Sequence, residues 1–358
     1  MEDNEFEEVT IISHTSEEPS VLPESTAQRF LKSLRIEITQ TAKPSSNDRL
    51  GKLRRSKQPT ELDFLFKEAV KVKPSTDIYC LSRGVKEGYL FGCNGAALVL
   101  QRDKTWSLDP KDEDIKSYHI LQVKESLIIF AKDAPLLFVH QGEVVHRSTH
   151  KFGGSPSNYV LHCNENVYFL NQNLQIVMID PDWTEREIIP HVVPADFIFD
   201  PQLELLIVLT IDGFIISKKQ THRISFEEEY HTNPFTNIAC GYRKYYLAIR
   251  LLTEKGSCEI TLIEKWKSVL DVQEFPSEDA TPVSQIRFAS PRLSFHPVLI
   301  VCGRSVRLFA IYLGHVYRLH DVKLSSFVFC LSYLYSTWVA AGESTTLTAL
   351  KLNWGKTD

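Results

Sequence analysis

The sequence predicts an all-β protein assembled from repeats, and three observations lead to this prediction. A short apolar segment recurs seven times, at Tyr79, Tyr118, Tyr159, Phe197, Ile238, Ile286 and Phe329. The steps between these positions are 39, 41, 38, 41, 48 and 43 residues, a period typical of repeat proteins. Each unit reads as about four short strands separated by polar turns. Four strands in each of seven units predict a seven-bladed β-propeller.

Within each unit the recurring apolar segment is the predicted first strand, as in IYCL, FIFD and NIAC. Two further strands surround a polar turn, as in SLIIFAKDAPLLFVHQ and NVYFLNQNLQIVMID. The turns contain Asn, Asp and Gly, which tolerate the positive φ angles of hairpins. A fourth apolar-polar strand follows most pairs, for example GEVVHRST, HRISF and VYRLHDVKL.

The last unit lacks a fourth strand, because the chain ends soon after WVAAGESTTLTALKL. An orphan segment with partly alternating apolar residues, DFLFKEAVKVK, precedes the first unit. An unpaired strand edge is a liability that closed β folds avoid. We therefore expect residues 63–73 to supply the missing outer strand and to close a propeller that covers residues 60–354.

Residues 1–59 are predicted to be a mostly disordered tail of two charge blocks. Residues 1–28 contain eight Asp or Glu and no Lys or Arg, whereas residues 29–60 contain nine Lys or Arg and two acids. Frequent Ser, Thr and Pro favour disorder. One stretch, STAQRFLKSLRIEI, has apolar residues at helical spacing from Ala27 to Ile38 and predicts a helix. This helix would pack on the propeller or dock into a groove on a partner.

The composition is that of an ordinary globular protein: 358 residues, 43% hydrophobic, with a net charge of −5. This charge argues against a surface that binds nucleic acid throughout. The seven cysteines include no C-x-x-C pair and indicate reduced thiols in a cytoplasmic and/or nuclear protein. No apolar run approaches the roughly 18 residues that span a bilayer. The acidic start lacks the basic and apolar parts of a secretory signal.

Sequence motifs of catalysis are missing, including G-x-S-x-G, the phosphate-binding loop and H-E-x-x-H. The nearest approach to a metal-ligand cluster is His140, His146, His150 and His162 with Cys163. These residues span two repeat units, so we interpret them as packed or solvated side chains. We expect no enzyme activity, no cofactor and no metal site.

The segment SVRLFAI, which follows Gly303-Arg304, is similar to the third strand of a WD-repeat blade. The strand layout of residues 60–354 resembles the WD-repeat β-propeller family, although no unit ends in Trp-Asp. The single Gly-His dipeptide, Gly314-His315, lies outside its usual place. The resemblance implies a non-catalytic protein-interaction scaffold, a propeller subunit of an intracellular multiprotein complex whose partners are other proteins. We expect no membrane among the partners.

Two short motifs overlap near the N-terminus. Phe6 and Val9, with acidic neighbours, look like a motif that docks on ubiquitin-like autophagy modifiers, and Val9, Ile11 and Ile12 look like a SUMO-interacting motif. Both modes add an extended strand to the edge of a partner's sheet. These residues are therefore candidates for binding a ubiquitin-like modifier. The alternative is an acidic tail with a few apolar residues.

The basic block contains a second candidate, Arg54-Arg55-Ser56-Lys57. It is typical of a nuclear import or nucleic-acid patch, of a phosphorylation site at Ser56, or of a solvated linker. We favour the linker over nucleic-acid binding, because no aromatic residues alternate with the basic ones. Two alternative functions follow: an accessory subunit of an RNA- or chromatin-associated complex that uses residues 29–57, and a propeller that binds or hydrolyses a small ligand.

One irregular insertion is expected to be a contact loop. The segment VLDVQEFPSEDATP, residues 269–282, accompanies the longest step between units. Binding residues are often placed on loops of rigid scaffolds. Deleting residues 277–280 would then weaken one partner and leave the fold intact.

Overall fold

The computed structural model describes residues 7–10, 36–41, 77–83, 89–93, 96–100, 105–108, 117–123, 125–141, 143–154, 160–163, 165–189, 192–211, 214–217, 222–225, 233–241, 244–277, 280–289, 295–334, 337–343 and 347–354. The regular elements in these parts of the chain are all strands. None of the described segments forms a helix long and apolar enough to cross a bilayer.

The strands are labelled β1 to β29 in chain order. The first fourteen are β1 (Glu7–Thr10), β2 (Ile36–Thr41), β3 (Ile78–Arg83), β4 (Tyr89–Cys93), β5 (Ala96–Leu100), β6 (Thr105–Leu108), β7 (Ser117–Val123), β8 (Ser126–Ala131), β9 (Pro135–His140), β10 (Glu143–Lys151), β11 (Val160–Cys163), β12 (Asn166–Leu170), β13 (Ile176–Ile179) and β14 (Glu185–Ile188). The others are β15 (Pro194–Asp200), β16 (Leu205–Thr210), β17 (Phe214–Ser217), β18 (His222–Ser225), β19 (Phe235–Cys240), β20 (Tyr245–Leu252), β21 (Ser257–Glu264), β22 (Val269–Pro276), β23 (Val283–Phe288), β24 (His296–Cys302), β25 (Ser305–Tyr312), β26 (His315–Lys323), β27 (Val328–Leu334), β28 (Thr337–Gly342) and β29 (Leu347–Trp354).

The chain divides into two compact units. The first contains residues 1–32 and 158–324. Its described strands form four sheets, of which three are antiparallel runs of four consecutive strands: β11–β14, β19–β22 and β23–β26. The fourth consists of β15–β18, with β1 added in parallel at the outer edge of β18.

The second unit contains residues 33–157 and 325–358. Its described strands form three sheets. Two of them are antiparallel runs of consecutive strands, β3–β6 and β7–β10. The third contains β27–β29, with β2 antiparallel to β29.

Five sheets in the described part of the chain therefore consist only of four consecutive strands, the construction that the repeat predicts. Each of the other two sheets also contains a strand from the N-terminal segment of the chain. The prediction was seven blades, with an N-terminal strand only in the last; it is corrected to five blades of four consecutive strands, because an N-terminal strand joins each of the two remaining sheets.

The N-terminal segment contributes to the sheets differently from the prediction. Residues 36–41, in β2, occupy the outer edge of β29, the place expected for residues 63–73, which lie outside the described residues. Strand β2 also begins inside the stretch predicted to be helical up to Ile38. Both β1 and β2 lie in the segment predicted to be disordered. The sequence of β2, IEITQT, is rich in β-branched residues, which favour a strand over a helix.

The central strands of the sheets are buried on both faces. In β20, Leu247 and Ile249 belong to one apolar cluster, which includes Val298 and Ile300 of β24. Tyr246 and Ala248, which alternate with them, belong to another cluster. Strands covered on both faces have near-continuous apolar sequences, which is why each repeat is so strongly apolar. Each such side chain contributes about 1.5–3 kcal/mol when it is fully buried.

The first strand of six sheets begins with a β-bulge, in which one extra residue interrupts the pairing. Bulges redirect the side chains that follow them. In the first unit, the residues directly after the bulge are Asp196, Asn237 and Gln285, and all three are buried. In the second unit they are Cys80, His119 and Cys330. A buried polar residue is thus a repeated feature of the first unit.

The predicted contact loop at residues 269–282 is mostly regular structure. Residues Val269–Pro276 form β22, the outer strand of its sheet, so the prediction was wrong for this part. Two hydrogen bonds hold Ser277 at the end of this strand. Its N–H donates to Gly256 O at 3.0 Å, and its hydroxyl donates to Thr281 O at 2.6 Å. Removing residues 277–280 would therefore break anchoring contacts as well as any binding contact.

Candidate protein-binding surface

Large apolar side chains that remain exposed lie mainly in turns and outer strands. Those described are Val144, Val145, Leu174, Val193, Leu203, Ile211, Val272, Leu313 and Tyr333. Single exposed apolar residues are normal, but groups of them mark interaction sites. Leu174 lies between β12 and β13, and Ile211 lies between β16 and β17, the corresponding place in the next sheet; Val193 directly precedes β15 and accepts a backbone hydrogen bond from Ile211. We call these three residues the exposed turn patch.

Leu174 is presented by a turn that Asn171 holds in place. The Asn171 side chain is buried, and its Oδ1 accepts hydrogen bonds from Asn173 N and Gln175 N, both at 2.9 Å. Its Nδ2 donates to Gln175 Oε1 at 2.9 Å. The turn places Leu174 in the left-handed region, with a φ of 59°, and leaves it 47% exposed. A leucine in this conformation is strained and persists only where the surrounding contacts enforce it.

Val193 and Ile211 are joined by a backbone hydrogen bond at the edge of the next sheet, β15–β18. The N–H of Ile211, at the end of β16, donates to the carbonyl of Val193 at 3.1 Å. Val192 points the other way and packs against the cluster that contains Leu170 and Ile176, the residues flanking the Leu174 turn. The chain before β15 is therefore fixed by packing while the Val193 side chain remains at the surface.

The side chains of the exposed turn patch are apolar. The backbone that carries them is held in place by hydrogen bonds. Ordering flexible loops and side chains is one of the main costs of association, and rigid presentation lowers it. The buried centre of a protein interface is more apolar than its rim, and a few residues there provide most of the binding free energy. This arrangement can bind an apolar feature of a protein partner.

A buried ion pair joins the two sheets β15–β18 and β19–β22. Lys265, directly after β21, places Nζ 2.6 Å from Asp200 Oδ2, and both side chains are nearly inaccessible to solvent. The Tyr246 hydroxyl donates to the same carboxylate at 3.1 Å, and Gln202 N donates to its Oδ1 at 3.0 Å. Burial alone would raise the pKa of Asp200, but Lys265 and these hydrogen bonds lower it on balance. The ammonium group of Lys265 thus forms an ion pair inside the protein.

Two neighbours of this pair remain in their neutral forms. Burial, followed by the charge of Asp200, raises the pKa of Cys240 to about 11. The same two causes raise the pKa of the Tyr246 hydroxyl above its ordinary value. A thiol of this pKa is a poor nucleophile at neutral pH, because the thiolate is the reactive form.

A second buried ion pair lies within sheet β19–β22. Arg250 and Glu259 are register partners on β20 and β21, and they form two hydrogen bonds, Nε to Oε1 at 2.7 Å and Nη2 to Oε2 at 3.0 Å. The guanidinium also lies over the ring of Phe235, 5.8 Å from its centre. Bidentate Arg–carboxylate pairs of this kind fix geometry.

Two buried thiols approach each other between β21 and β24. The Sγ of Cys302 lies 3.1 Å from Thr281 O, and Cys258 Sγ lies 4.0 Å from the same oxygen. The hydrogen bond with Cys302, together with burial, raises the pKa of Cys258 well above its ordinary value. The Cys258 thiol is therefore held protonated, and none of the five cysteines whose side chains the structure describes forms a disulfide.

Of the partner-binding residues predicted from the sequence, only Val9 lies in the described part of the chain. It occupies β1, in register with Ile224 of β18. The others, Phe6, Ile11, Ile12, Arg54, Arg55, Ser56 and Lys57, lie outside the described residues. The structure thus places one candidate motif residue in a strand of this chain's own sheet.

The histidines considered as metal ligands are distributed over separate strands. His140 Nδ1 lies 3.4 Å from the Ser126 hydroxyl, and the ring of His146 lies 5.3 Å from that of Phe138. His150 follows on β10, and His162 and Cys163 are in β11. Over the described ranges, no group of three or more His, Cys, Asp or Glu side chains is placed to hold a metal ion.

The sequence reasoning missed the exposed turn patch. Leu174 was interpreted only as part of a hairpin, because an apolar residue in a β-rich repeat is normally interior. The available signal was the sequence NQNLQ, where Asn before a short turn predicts side-chain to backbone hydrogen bonds. Ile211 precedes Asp212-Gly213, which predicts a hairpin turn, whereas Val193 carries no local signal, because its exposure depends on how the strands pair.

No protein-family model matches this sequence, and no curated protein sequence matches it either. Solved structures do match. A catalytically inactive virginiamycin B lyase from Staphylococcus aureus is 10% identical, with a TM-score of 0.60 over 79% of this chain and 97% of the lyase. A chain of the mitotic checkpoint complex is 10% identical, with a TM-score of 0.58 over 78% of this chain and 90% of that one.

The WD40 β-propeller domain of Doa1 is 11% identical, with a TM-score of 0.53 over 78% of this chain and 96% of that domain. Identities this low show the fold alone. The chain has an all-β, β-propeller fold, in agreement with the class predicted from the repeat.

Proposed function

We propose that this chain is a non-catalytic scaffold that binds other proteins as the propeller subunit of a multiprotein complex. The observation that carries the proposal is the exposed turn patch, three apolar side chains on ordered turns of consecutive sheets. Surface apolar residues that are held rigidly are suited to binding, because little order remains to be imposed when a partner docks.

Two further observations support this proposal. Four buried charged side chains of the first unit pair with each other, Asp200 with Lys265 and Arg250 with Glu259, so these charges are used inside the fold. One structurally similar protein is a chain of the mitotic checkpoint complex, a multiprotein assembly. We extend this mode of action to the present chain as part of the proposal. The cysteines whose side chains the structure describes form no disulfide, which supports a cytoplasmic or nuclear location as part of the proposal.

The test compares three full-length variants, L174D, I211D and L203D. Leu203 is the matched control, since it is 44% exposed in the turn between β15 and β16, at the opposite end of β16 from Ile211. We expect L174D and I211D to reduce the recovery of at least one partner by about tenfold, the loss typical of a central interface residue.

L203D should recover the same partners as the wild type. Thermal unfolding of all three variants checks that the fold is intact. Equal loss in all three, or no loss in any, would show that the exposed turn patch is not the binding surface.

A further inference from the structure

The strand β1 pairs with the outer edge of β18. The pairing is parallel, with Glu7 opposite His222, Glu8 opposite Arg223, Val9 opposite Ile224 and Thr10 opposite Ser225. Among the described strands, the outer strands of the five sheets made of consecutive strands carry no such addition. The edge of β18 thus accepts an extended segment from a distant part of the sequence.

This contact has the form of peptide recognition by strand addition. An extended segment that joins a sheet edge gains main-chain hydrogen bonds, and the residues at alternate positions provide specificity. In this register each of the two acids of β1 lies opposite a basic residue of β18: Glu7 opposite His222 and Glu8 opposite Arg223. Electrostatic matching of this kind selects the segment and its register.

The pairing between β1 and β18 is short, and a long stretch of sequence separates β1 from the next described strand. Strand β1 contains four residues, and twenty-five residues separate Thr10 from the next described strand, β2. A short strand pairing provides few hydrogen bonds, and closing a long loop opposes it entropically. A segment of similar sequence on another protein therefore displaces β1 once its concentration exceeds the effective concentration of β1 at this edge.

We propose that the outer edge of β18 is a docking site for an extended acidic segment of a partner protein, and that β1 is the chain's own displaceable occupant of this site. The partner segment has two adjacent acids followed by a β-branched residue, as in Glu7-Glu8-Val9. Its binding releases residues 7–10, so that Val9 becomes available to a ubiquitin-like modifier. This inference is independent of the exposed turn patch, and either can fail without the other.

The test uses the full-length protein and a synthetic peptide of residues 3–12. In the variant E7K/E8K, which reverses the charges of β1, those amides of residues 222–225 that point toward β1 rather than β17 should exchange with solvent at least about tenfold faster than in the wild type. Added peptide should restore their protection, and it should bind the variant about tenfold more tightly than the wild type. The matched control E2K/D3K makes the same charge change outside β1 and should behave as the wild type.

Amide exchange in β24 and β25 reports whether the variant has kept its fold. Equal protection of residues 222–225 in wild type and E7K/E8K would overturn the proposal, as would equal peptide affinity for the two proteins. A wild-type protein that forms dimers, in which E7K/E8K is monomeric, would assign β1 to the edge of a second copy and overturn it too. A peptide that itself carries the two Lys substitutions should not restore protection.

Discussion

The carboxylate of Asp196 accepts a hydrogen bond from the backbone N–H of Ile238, with Oδ2 2.9 Å from the nitrogen. Asp196 lies on β15 and Ile238 on β19, the first strands of consecutive sheets. The other oxygen, Oδ1, accepts from Phe197 N at 2.8 Å. Burial raises the pKa of Asp196 above its ordinary value, and the two backbone hydrogen bonds act against this rise. A bulge residue thus links one repeat to the next.

The first prediction concerns this link. Replacing Asp196 with Ala leaves two buried N–H groups without acceptors, and each such group costs about 1–3 kcal/mol. We expect D196A to lower the free energy of unfolding by about 2–4 kcal/mol, measured by urea denaturation. The control is D182A at an exposed turn position, where the change should stay within about 0.5 kcal/mol. Equal effects would mean that Asp196 does not hold the two strands together.

The second prediction concerns the pair of Lys265 and Asp200. Replacing Lys265 with Met keeps the aliphatic stem but leaves a buried carboxylate without its cation, which costs about 3–5 kcal/mol. Lys267 is the matched control, because its side chain is 66% exposed and pairs with Glu264 at the surface. K267M should change the free energy of unfolding by less than about 1 kcal/mol. Comparable losses in the two variants would contradict the internal role of Lys265.

The third prediction gives the pH dependence of that loss. The pKa of Asp200 is lower in the folded protein than its ordinary value, so the folded state releases this proton more readily than the unfolded state. The resulting stabilisation is present above the unfolded value of about 3.9 and disappears as the pH falls through the folded value. In K265M burial is no longer opposed by the cation and raises the pKa of Asp200, so the stability difference between wild type and K265M should be largest near pH 8 and shrink steadily as the pH falls toward the folded value of the wild type. A difference that grows on acidification would exclude this ion pair as its cause.

The fourth prediction concerns Gly342 at the end of β28. A Cβ at this position would lie 1.9 Å from the carbonyl oxygen of Phe327, which also accepts a hydrogen bond from Glu343 N at 3.1 Å. Backbone must therefore move, and G342A should destabilise the protein by about 3 kcal/mol. Gly256 is the matched control: its φ is 61°, but no atom would contact the new Cβ, so G256A should cost only about 1 kcal/mol. Thermal unfolding of both variants distinguishes the two mechanisms.

The sequence predicts the first strands of the repeats well, because these strands are buried and apolar whatever their neighbours are. Phe197 and Ile238, two of the recurring positions, lie in β15 and β19 as predicted. The partner of β29 was not predictable in the same way. Residues 36–41 and residues 63–73 both have strand-like patterns, and the choice between them depends on pairing over more than three hundred residues. Local periodicity does not encode such long-range register.

The exposed turn patch shows a second limit of sequence reasoning. Hydrophobic residues in β repeats are normally assigned to the core; Asp212-Gly213 predicts a turn at Ile211, but nothing near Val193 contradicts a core assignment. Their exposure follows from the position of the turns at the ends of the sheets, a property of the assembled fold. For Leu174 the decisive residue is Asn171, whose buried side chain fixes the turn from within.

The last prediction tests whether that turn must be rigid for binding. Replacing Asn171 with Ala removes the acceptor for Asn173 N and Gln175 N, so N171A should lose about 1–3 kcal/mol of stability. It should also release Leu174 from its left-handed conformation and weaken partner recovery as L174D does, although Asn171 itself is buried. The matched control, N173A, changes an exposed side chain of the same turn and should alter neither property. If N171A is destabilised but binds its partners with wild-type affinity, Leu174 binds without a preformed turn, and preorganisation does not contribute to the affinity.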